Sequence, residues 1–280
     1  MELPTPETSV PETSVPENVK ERLAASYDAI AASYNAWTAQ HSGLRLHYVE
    51  KLLQLLPPLP SVNDSSPSSC SGSGGSGGGN PTAASDSAPV PMTHLVELGC
   101  GAGFPVTQAL LEFPDTPAGR GRRVHVTAND LSATQVALGR EGVLPRAGSH
   151  DQIEWVAGDM MHLSFAAGSL DAVVALYSLI HLPREEQVVL LERVARWLKP
   201  GGLVLANFSV EDTPGEVMDR WLGEEKGWMY WSGFGVDKTL EVVTRKAGLE
   251  VVLSEVSKNE DGVDAEFLWV IARAPESLDL

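Results

Sequence analysis

The sequence predicts a doubly wound α/β fold, seven strands in a mostly parallel sheet preceded by an N-terminal helical cap. Three observations carry that expectation. From Thr93 onward short apolar runs alternate with helix-length amphipathic segments. The first run ends in a glycine loop and the next two end in acids, as ligand-binding strand ends do. The chain has 280 residues, 43% of them apolar, enough for one large domain plus appendages.

Taken in order, the first 17 residues contain a five-residue repeat with Glu2, Glu7, Glu12 and Glu17 and regularly spaced proline. This composition predicts a disordered acidic tail. Residues 18–60 predict a helical cap. Val19, Leu23, Tyr27, Ile30, Tyr34 and Trp37 step by three and four onto one stripe, Gly43 interrupts, and Leu44–Leu56 continue until Pro57-Pro58. Residues 61–92 are rich in Gly, Ser and Pro and read as a disordered insertion, tolerable because loop-closure entropy grows slowly with length.

Residues 93–274 make the core. The predicted strands are Leu95–Leu98, Val124–Ala128, Ile153–Ala157, Leu170–Leu176, Leu203–Phe208, Leu249–Val256 and Phe267–Ala272. Helices are predicted at about Val106–Glu112, Ala133–Glu141, Arg184–Leu198 and Val236–Ala247. Strands joined by crossover helices pair in parallel, whereas the last two runs, separated by a short polar turn, predict an antiparallel edge pair. Residues 275–280 form a short tail.

Composition narrows the function classes. Thirty-seven acidic residues against 20 basic ones, a formal charge of −17, argue against nucleic acid, whose binding rests on Lys/Arg neutralisation of phosphates. No run reaches the ~20 apolar residues of a membrane helix, and the first residues lack the cationic start and apolar core of a signal peptide, so the expected location is cytoplasmic and no membrane partner is expected. Cys70 and Cys100 do not make a disulfide framework or a metal site. No metal is expected, since His41, His47 and His162 lack ligand spacing to a second donor.

The chemistry is expected at the carboxyl ends of the strands. Glu97-Leu98-Gly99-Cys100-Gly101-Ala102-Gly103 places glycines at alternate positions, allowing sharp turns and a close backbone approach to a ligand. Phe104-Pro105 follow where a dinucleotide fingerprint would need its last glycine, which disfavours an NAD(P)-dependent oxidoreductase, the alternative enzyme. Asp130 ends the second strand, where a carboxylate accepts both ribose hydroxyls; its alternative is to cap the following helix, as Ser132 does. Asp159 follows the third strand and can accept from an adenine amine, with Met160 against the ring face. Two acids at successive strand ends beside a glycine loop fit a nucleoside without phosphates.

With these blocks assembled, the chain resembles a class I S-adenosylmethionine-dependent methyltransferase. The matching segments are VELGCGAG at 96–103, TANDLS at 127–132, AGDM at 157–160, LDAVVALYSLIHL at 170–182 and WLKPGG at 197–202. The resemblance implies a Rossmann-like sheet of order 3-2-1-4-5-7-6 and S-adenosyl-L-methionine as cofactor. It places Glu97 and the Gly99, Cys100, Gly101, Gly103 loop near the amino-acid part, Asp130 on the ribose, and Leu131 and Met160 on the adenine faces. Asp159 is placed on the adenine amine, Leu176 and Tyr177 near the methionine moiety, and the Tyr27/Tyr34 helix over the cofactor.

A sulfonium donor is already activated, so the protein must chiefly align the reactants and exclude water. His181, just beyond the fourth strand, is the candidate catalytic base, with local hydrogen bonding as its alternative. The aromatic segment Glu211–Gly235, with Trp221, Trp228, Met229, Tyr230, Trp231 and Phe234, is the expected cover of a pocket for a small, partly apolar acceptor. The function expected is methyl transfer to O, N or S of such a molecule. A non-catalytic S-adenosylmethionine-binding regulatory module is the reading from another class.

Overall fold

The computed structural model describes residues 15–58, 92–143, 152–258 and 266–276. Most of the predicted acidic tail and Gly/Ser insertion, and the last four residues, lie outside this set.

The cap comprises α1 (Val19–Gln40) and α2 (Gly43–Gln54). In chain order there follow β1 (Met92–Leu98), α3 (Val106–Glu112), β2 (Arg123–Asp130), α4 (Ala133–Gly142), β3 (Ile153–Ala157), β4 (Leu170–Ala175) and α5 (Arg184–Trp197). The chain continues through β5 (Leu198–Ser209), β6 (Asp212–Asp219), β7 (Trp228–Phe234), α6 (Gly235–Glu241), β8 (Glu250–Lys258) and β9 (Glu266–Arg273).

Seven strands form one sheet in the order β3-β2-β1-β4-β5-β9-β8, the predicted topology once the two strands of a separate hairpin are set aside. β1 to β5 pair in parallel, and β9 runs antiparallel to both β5 and β8. The central strands are apolar almost throughout because both faces are covered; Leu98, Val126, Val173 and Leu205 are each 0% exposed. One cluster packs α5 and Trp197 on one face, and another packs α2, α3 and Trp269 on the other.

Two elements differ from the sequence expectation. The segment 211–235 folds as the hairpin β6–β7, with Trp231 opposite Glu216 and Tyr230 opposite Val217. Its aromatic density does suit strand packing, but tertiary contacts with α1 decide the outcome: Trp228, Met229 and Tyr230 bury against Val19, Leu23 and Ile30. The helix expected at 236–247 is divided, α6 passing into a π turn at Val242–Lys246.

The cap is fastened at several points. The Trp228 backbone N–H donates to Ser26 Oγ at 2.8 Å, and Asp28 accepts from the Ser132 hydroxyl and from the Thr134 N–H at the start of α4. On α2, Tyr48 stacks on Trp269 at 4.2 Å between ring centroids and donates its hydroxyl to Glu255. Half of the predicted α1 stripe therefore closes a core, and Tyr27, Tyr34 and Trp37 remain half-buried.

Candidate functional site

The glycine loop after β1 is tied to β2 by the Gly99 and Cys100 N–H groups, which donate to the Asn129 carbonyl at 2.8 and 2.9 Å. Its glycines serve different ends. A Cβ at Gly99 would lie 2.4 Å from Ser178 Cβ and one at Gly103 2.6 Å from the Trp155 ring, so these positions let neighbouring elements approach. Gly101, at φ 54°, is different: a Cβ there would meet only Tyr34, 3.8 Å away across a cleft. That cradle is open to a ligand.

Asp130 sits at the end of β2 with both oxygens engaged. Oδ2 accepts from the Gly101 N–H at 2.7 Å and Oδ1 from the Ser132 N–H at 2.8 Å, which fixes the carboxylate while leaving it acceptor capacity. Burial pushes its pKa up to about 6, against those backbone bonds. Ser132 caps α4, accepting from the Gln135 N–H, so the capping role falls to Ser132 as expected. Asp159 accepts from the Met161 N–H through Oδ1, and its Oδ2 pairs at 2.6 Å with Lys20 of α1. Lys20 also reaches Glu186 at 2.6 Å. Burial pulls the Lys20 pKa down, but the two carboxylates outweigh it and leave the ammonium more firmly protonated than usual.

Glu97 is 4% exposed and accepts from the Thr107 hydroxyl. Desolvation pushes its pKa up to about 8 even against that bond, so it is largely uncharged at neutral pH. It is therefore a poor counter-charge for a cation there.

His181 has both nitrogens committed. Nδ1 lies 2.7 Å from the Tyr230 carbonyl, which can only accept, so Nδ1 carries the proton. Burial lowers the imidazole pKa to about 4, leaving Nε2 bare and accepting from the Tyr27 hydroxyl at 2.9 Å. The ring is held there by residues the sequence did not single out. Gln187 Nε2 lies 3.0 Å from the Leu182 carbonyl and 2.9 Å from Ser232 Oγ, fully buried, joining the His181 turn to β7. Asn207 Oδ1 on β5 accepts from the Tyr177 N–H at 2.6 Å, and Tyr177 has a left-handed φ of 54°.

Two cavities meet here. The first, narrow one lies between α1 and the strand ends, with Gly99, Gly101, Asp130, Leu131 and Asp159 on its walls. Met160, Leu176, Tyr177 and His181 complete it on the β3 and β4 side, and Tyr27 and Tyr34 roof it. The second has a volume of about 680 Å³ beneath the β6–β7 hairpin, with Trp37, Trp221, Trp231 and Phe267 among its walls. Tyr27, Tyr34, Tyr177 and His181 belong to both. Glu97 and Cys100 line a small neighbouring pocket at the α3 end, and Gly103 lines none of the three. Of the aromatic segment, Trp221 and Trp231 face the second cavity, Trp228, Met229 and Tyr230 pack on α1, and Phe234 packs on the core under Arg184. His41 bonds the Trp37 carbonyl, His47 lies beside Tyr48 and His162 is exposed, so none joins the site. Among the described residues no group of three His, Cys, Asp or Glu side chains is arranged to hold a metal ion.

Residues 95–202, which build the first cavity's strand ends, match the family model for a methyltransferase domain. Over that segment, less than half of its length, the chain is similar to methyltransferase domains. Among curated relatives, methyltransferase GfsG of Streptomyces halstedii is 31% identical over 124 residues, 44% of this chain and 40% of that protein. The ubiquinone/menaquinone biosynthesis C-methyltransferase UbiE of Brucella anthropi is 32% identical over 104 residues, 36% of this chain and 38% of the relative. The matches thus span less than half the length of these relatives. The same fold occurs in the putative methyltransferase complexed with the Haloferax volcanii Trm112 activator, with TM-score 0.58 and 18% identity, covering 92% of this chain and all of the other. It occurs also in the DhpI–SAH complex, with TM-score 0.57 and 18% identity over 94% of this chain and all of the other.

The cofactor of the methyltransferase family is S-adenosyl-L-methionine, and the first cavity suits it. The open cradle at Gly101 admits a ligand, the immobilised Asp130 carboxylate offers acceptors to a diol, and Leu131 and Met160 provide apolar walls beside the Asp159 carboxylate.

Proposed function

We propose that the chain transfers a methyl group from S-adenosylmethionine to a small, partly apolar molecule held in the second cavity. The observation that carries this reading is the junction: the cofactor-type cavity and the aromatic-walled cavity share Tyr27, Tyr34, Tyr177 and His181, so a donor in one and an acceptor in the other meet at a single wall. When bound, the cofactor supplies an activated methyl on a sulfonium.

The chain's own residues hold and align the reactants. Asp130 fixes the ribose, Asp159 and Met160 take the adenine, and the Gly99–Gly101 loop with Leu176 supports the amino-acid part. Tyr27 and Tyr34, with ring centroids 5.2 Å apart, line that cavity, where a ring face turned to a cation is worth of order 1 kcal/mol. Trp37, Trp221 and Trp231 give the second cavity an aromatic wall on which a partly apolar acceptor can pack. Tyr27 oxygen accepts the acceptor's proton as its own proton passes to His181 Nε2, which is bare and positioned for it. The acceptor atom is O, N or S in this reading, and the relay serves wherever that atom must lose a proton. The chain acts in solution without nucleic acid or a membrane, in the cytoplasm.

The test is incubation of the full chain with methyl-labelled S-adenosylmethionine and a metabolite extract. Label in a small-molecule product together with S-adenosylhomocysteine supports the proposal. Cofactor binding without any transfer would favour the regulatory module instead.

A further inference from the structure

The walls of the second cavity carry a charge pattern that methyl transfer by itself does not require. Lys258 and Glu266 on its wall pair with each other at 3.6 Å and cancel. Glu211, just before β6, and Glu216 on β6 also line it, and among the described residues neither carboxylate forms an ion pair or accepts a hydrogen bond. Both side chains are exposed, which puts them at the cavity mouth. The other cation of the wall, Arg45, enters from α2, its guanidinium carbon 4.5 Å from the centroid of the Tyr177 ring, on a different element from the two carboxylates. Glu216 is in register with Trp231 across the β6–β7 hairpin, and opposite residues of an antiparallel pair share a face, so carboxylate and indole stand side by side on the wall. Trp231 in turn belongs to an aromatic corner. Trp221 is set near right angles to both Trp37 and Trp231, with interplanar angles of 70° and 72° and ring centroids 6.1 and 6.4 Å apart, and all three line the cavity. A ligand in such a corner meets ring surface from more than one direction. Aromatic surface alone suits any apolar ring, whereas aromatic surface beside an uncompensated carboxylate suits a cation, which is attracted by both. The chain as a whole, with a formal charge of −17, draws cations toward its surface and repels anions. The corner also reaches the wall shared with the first cavity, since the Trp231 and His181 ring centroids are 6.2 Å apart.

We infer that the acceptor carries a protonated amine, held between the Trp231 ring and the Glu216 carboxylate, with Glu211 adding to the field at the mouth. The inference rests on the function proposed above and narrows its acceptor to small amines with an apolar body. The ammonium is the anchor. A protonated nitrogen has no lone pair to take a methyl group, so the methylated atom is another atom of the same molecule, turned to the wall that both cavities share.

The experiment measures binding of 2-phenylethylamine and of its neutral counterpart 2-phenylethanol to the full chain by calorimetry, with and without saturating S-adenosylhomocysteine; each variant is first checked for a wild-type circular dichroism spectrum. Wild type is expected to bind the amine about 10-fold more tightly than the alcohol. Glu216→Gln should reduce that preference about 3- to 5-fold, and Trp231→Leu should weaken amine binding more than alcohol binding. Glu225→Gln removes an equal charge from an exposed position on the hairpin turn that lines neither cavity, and it should leave the preference unchanged. Equal affinity of wild type for amine and alcohol overturns the inference. So does a preference that Glu225→Gln lowers as much as Glu216→Gln, because the attraction would then belong to the general charge of the chain. The function proposed above is read separately: amine preference without S-adenosylhomocysteine binding overturns methyl transfer and leaves the amine site, whereas S-adenosylhomocysteine binding without amine preference does the reverse.

Discussion

At the residue scale, burial displaces three ionisable groups, Asp130, Glu97 and His181, from their usual titration. Asp130 is held by two backbone N–H groups, and removing its carboxylate takes away the acceptors for a diol. Asp130→Ala should weaken S-adenosylmethionine binding by ~1.5 to 3 kcal/mol with the fold intact, measured by calorimetry; unchanged affinity would remove Asp130 from the site. Glu97 gives a pH prediction. Its folded pKa of about 8 lies above the ordinary 4.5, so the folded state keeps a proton that the unfolded chain has released. Its contribution to stability is complete below pH ~4.5 and is lost as pH rises through about 8. Glu97→Gln should flatten that stretch of a plot of Tm against pH, whereas an unaltered slope would contradict the assignment. His181 stays neutral above pH about 4. Under the proposed relay, Tyr27→Phe and His181→Ala should each lower kcat by roughly 100-fold with cofactor affinity preserved. Weakened cofactor binding instead would make them pocket walls. The positions of Asp130 and Asp159 were legible in the sequence because one ends a strand and the other directly follows one, at the carboxyl edge of the sheet. Asn207 and Gln187 were not: each works through a partner that only the fold brings near, Tyr177 from 30 residues away for Asn207 and Ser232 from 45 for Gln187.

Among the elements, α1 behaves as a cover fastened at its rim. Lys20 occupies the Asp159 oxygen that an adenine amine would approach, and it holds Glu186 of α5 at the same time. Ligand entry at that end therefore competes with the ion pair. Both side chains are mostly shielded, 21% exposed for Lys20 and 13% for Asp159, so the pair fastens this rim of the cover more firmly than an exposed ion pair would. Lys20→Met should accelerate amide exchange in the first half of α1 while leaving the central strands unchanged; equal protection in both proteins would show that the latch carries no load. The α1 stripe was readable from its spacing of three and four. What spacing alone could not divide was its work: Val19, Leu23 and Ile30 close a core with β7, and Tyr27 and Tyr34 face the cavities. The same ambiguity hid the β6–β7 hairpin, since a cluster of aromatic residues reads equally as a cover or as strands until its neighbours are known.

For the whole molecule, cap and sheet share one core. Tyr48 stacks on Trp269, a residue of β9 that is 0% exposed at the antiparallel end of the sheet. Truncation by Tyr48→Ala should cost about 3 kcal/mol and lower a single unfolding transition rather than release the cap on its own; a separate early transition would mean that the cap folds independently. The parallel order was legible because runs buried on both faces alternate with amphipathic helices, a pattern that few other architectures permit. Whether the first cavity holds the cofactor is decided by calorimetric titration of the full chain with S-adenosylmethionine, with NAD as the control ligand. Saturable binding at one site per chain and no heat from NAD are expected; binding of NAD, or no binding of S-adenosylmethionine, would refute that occupancy.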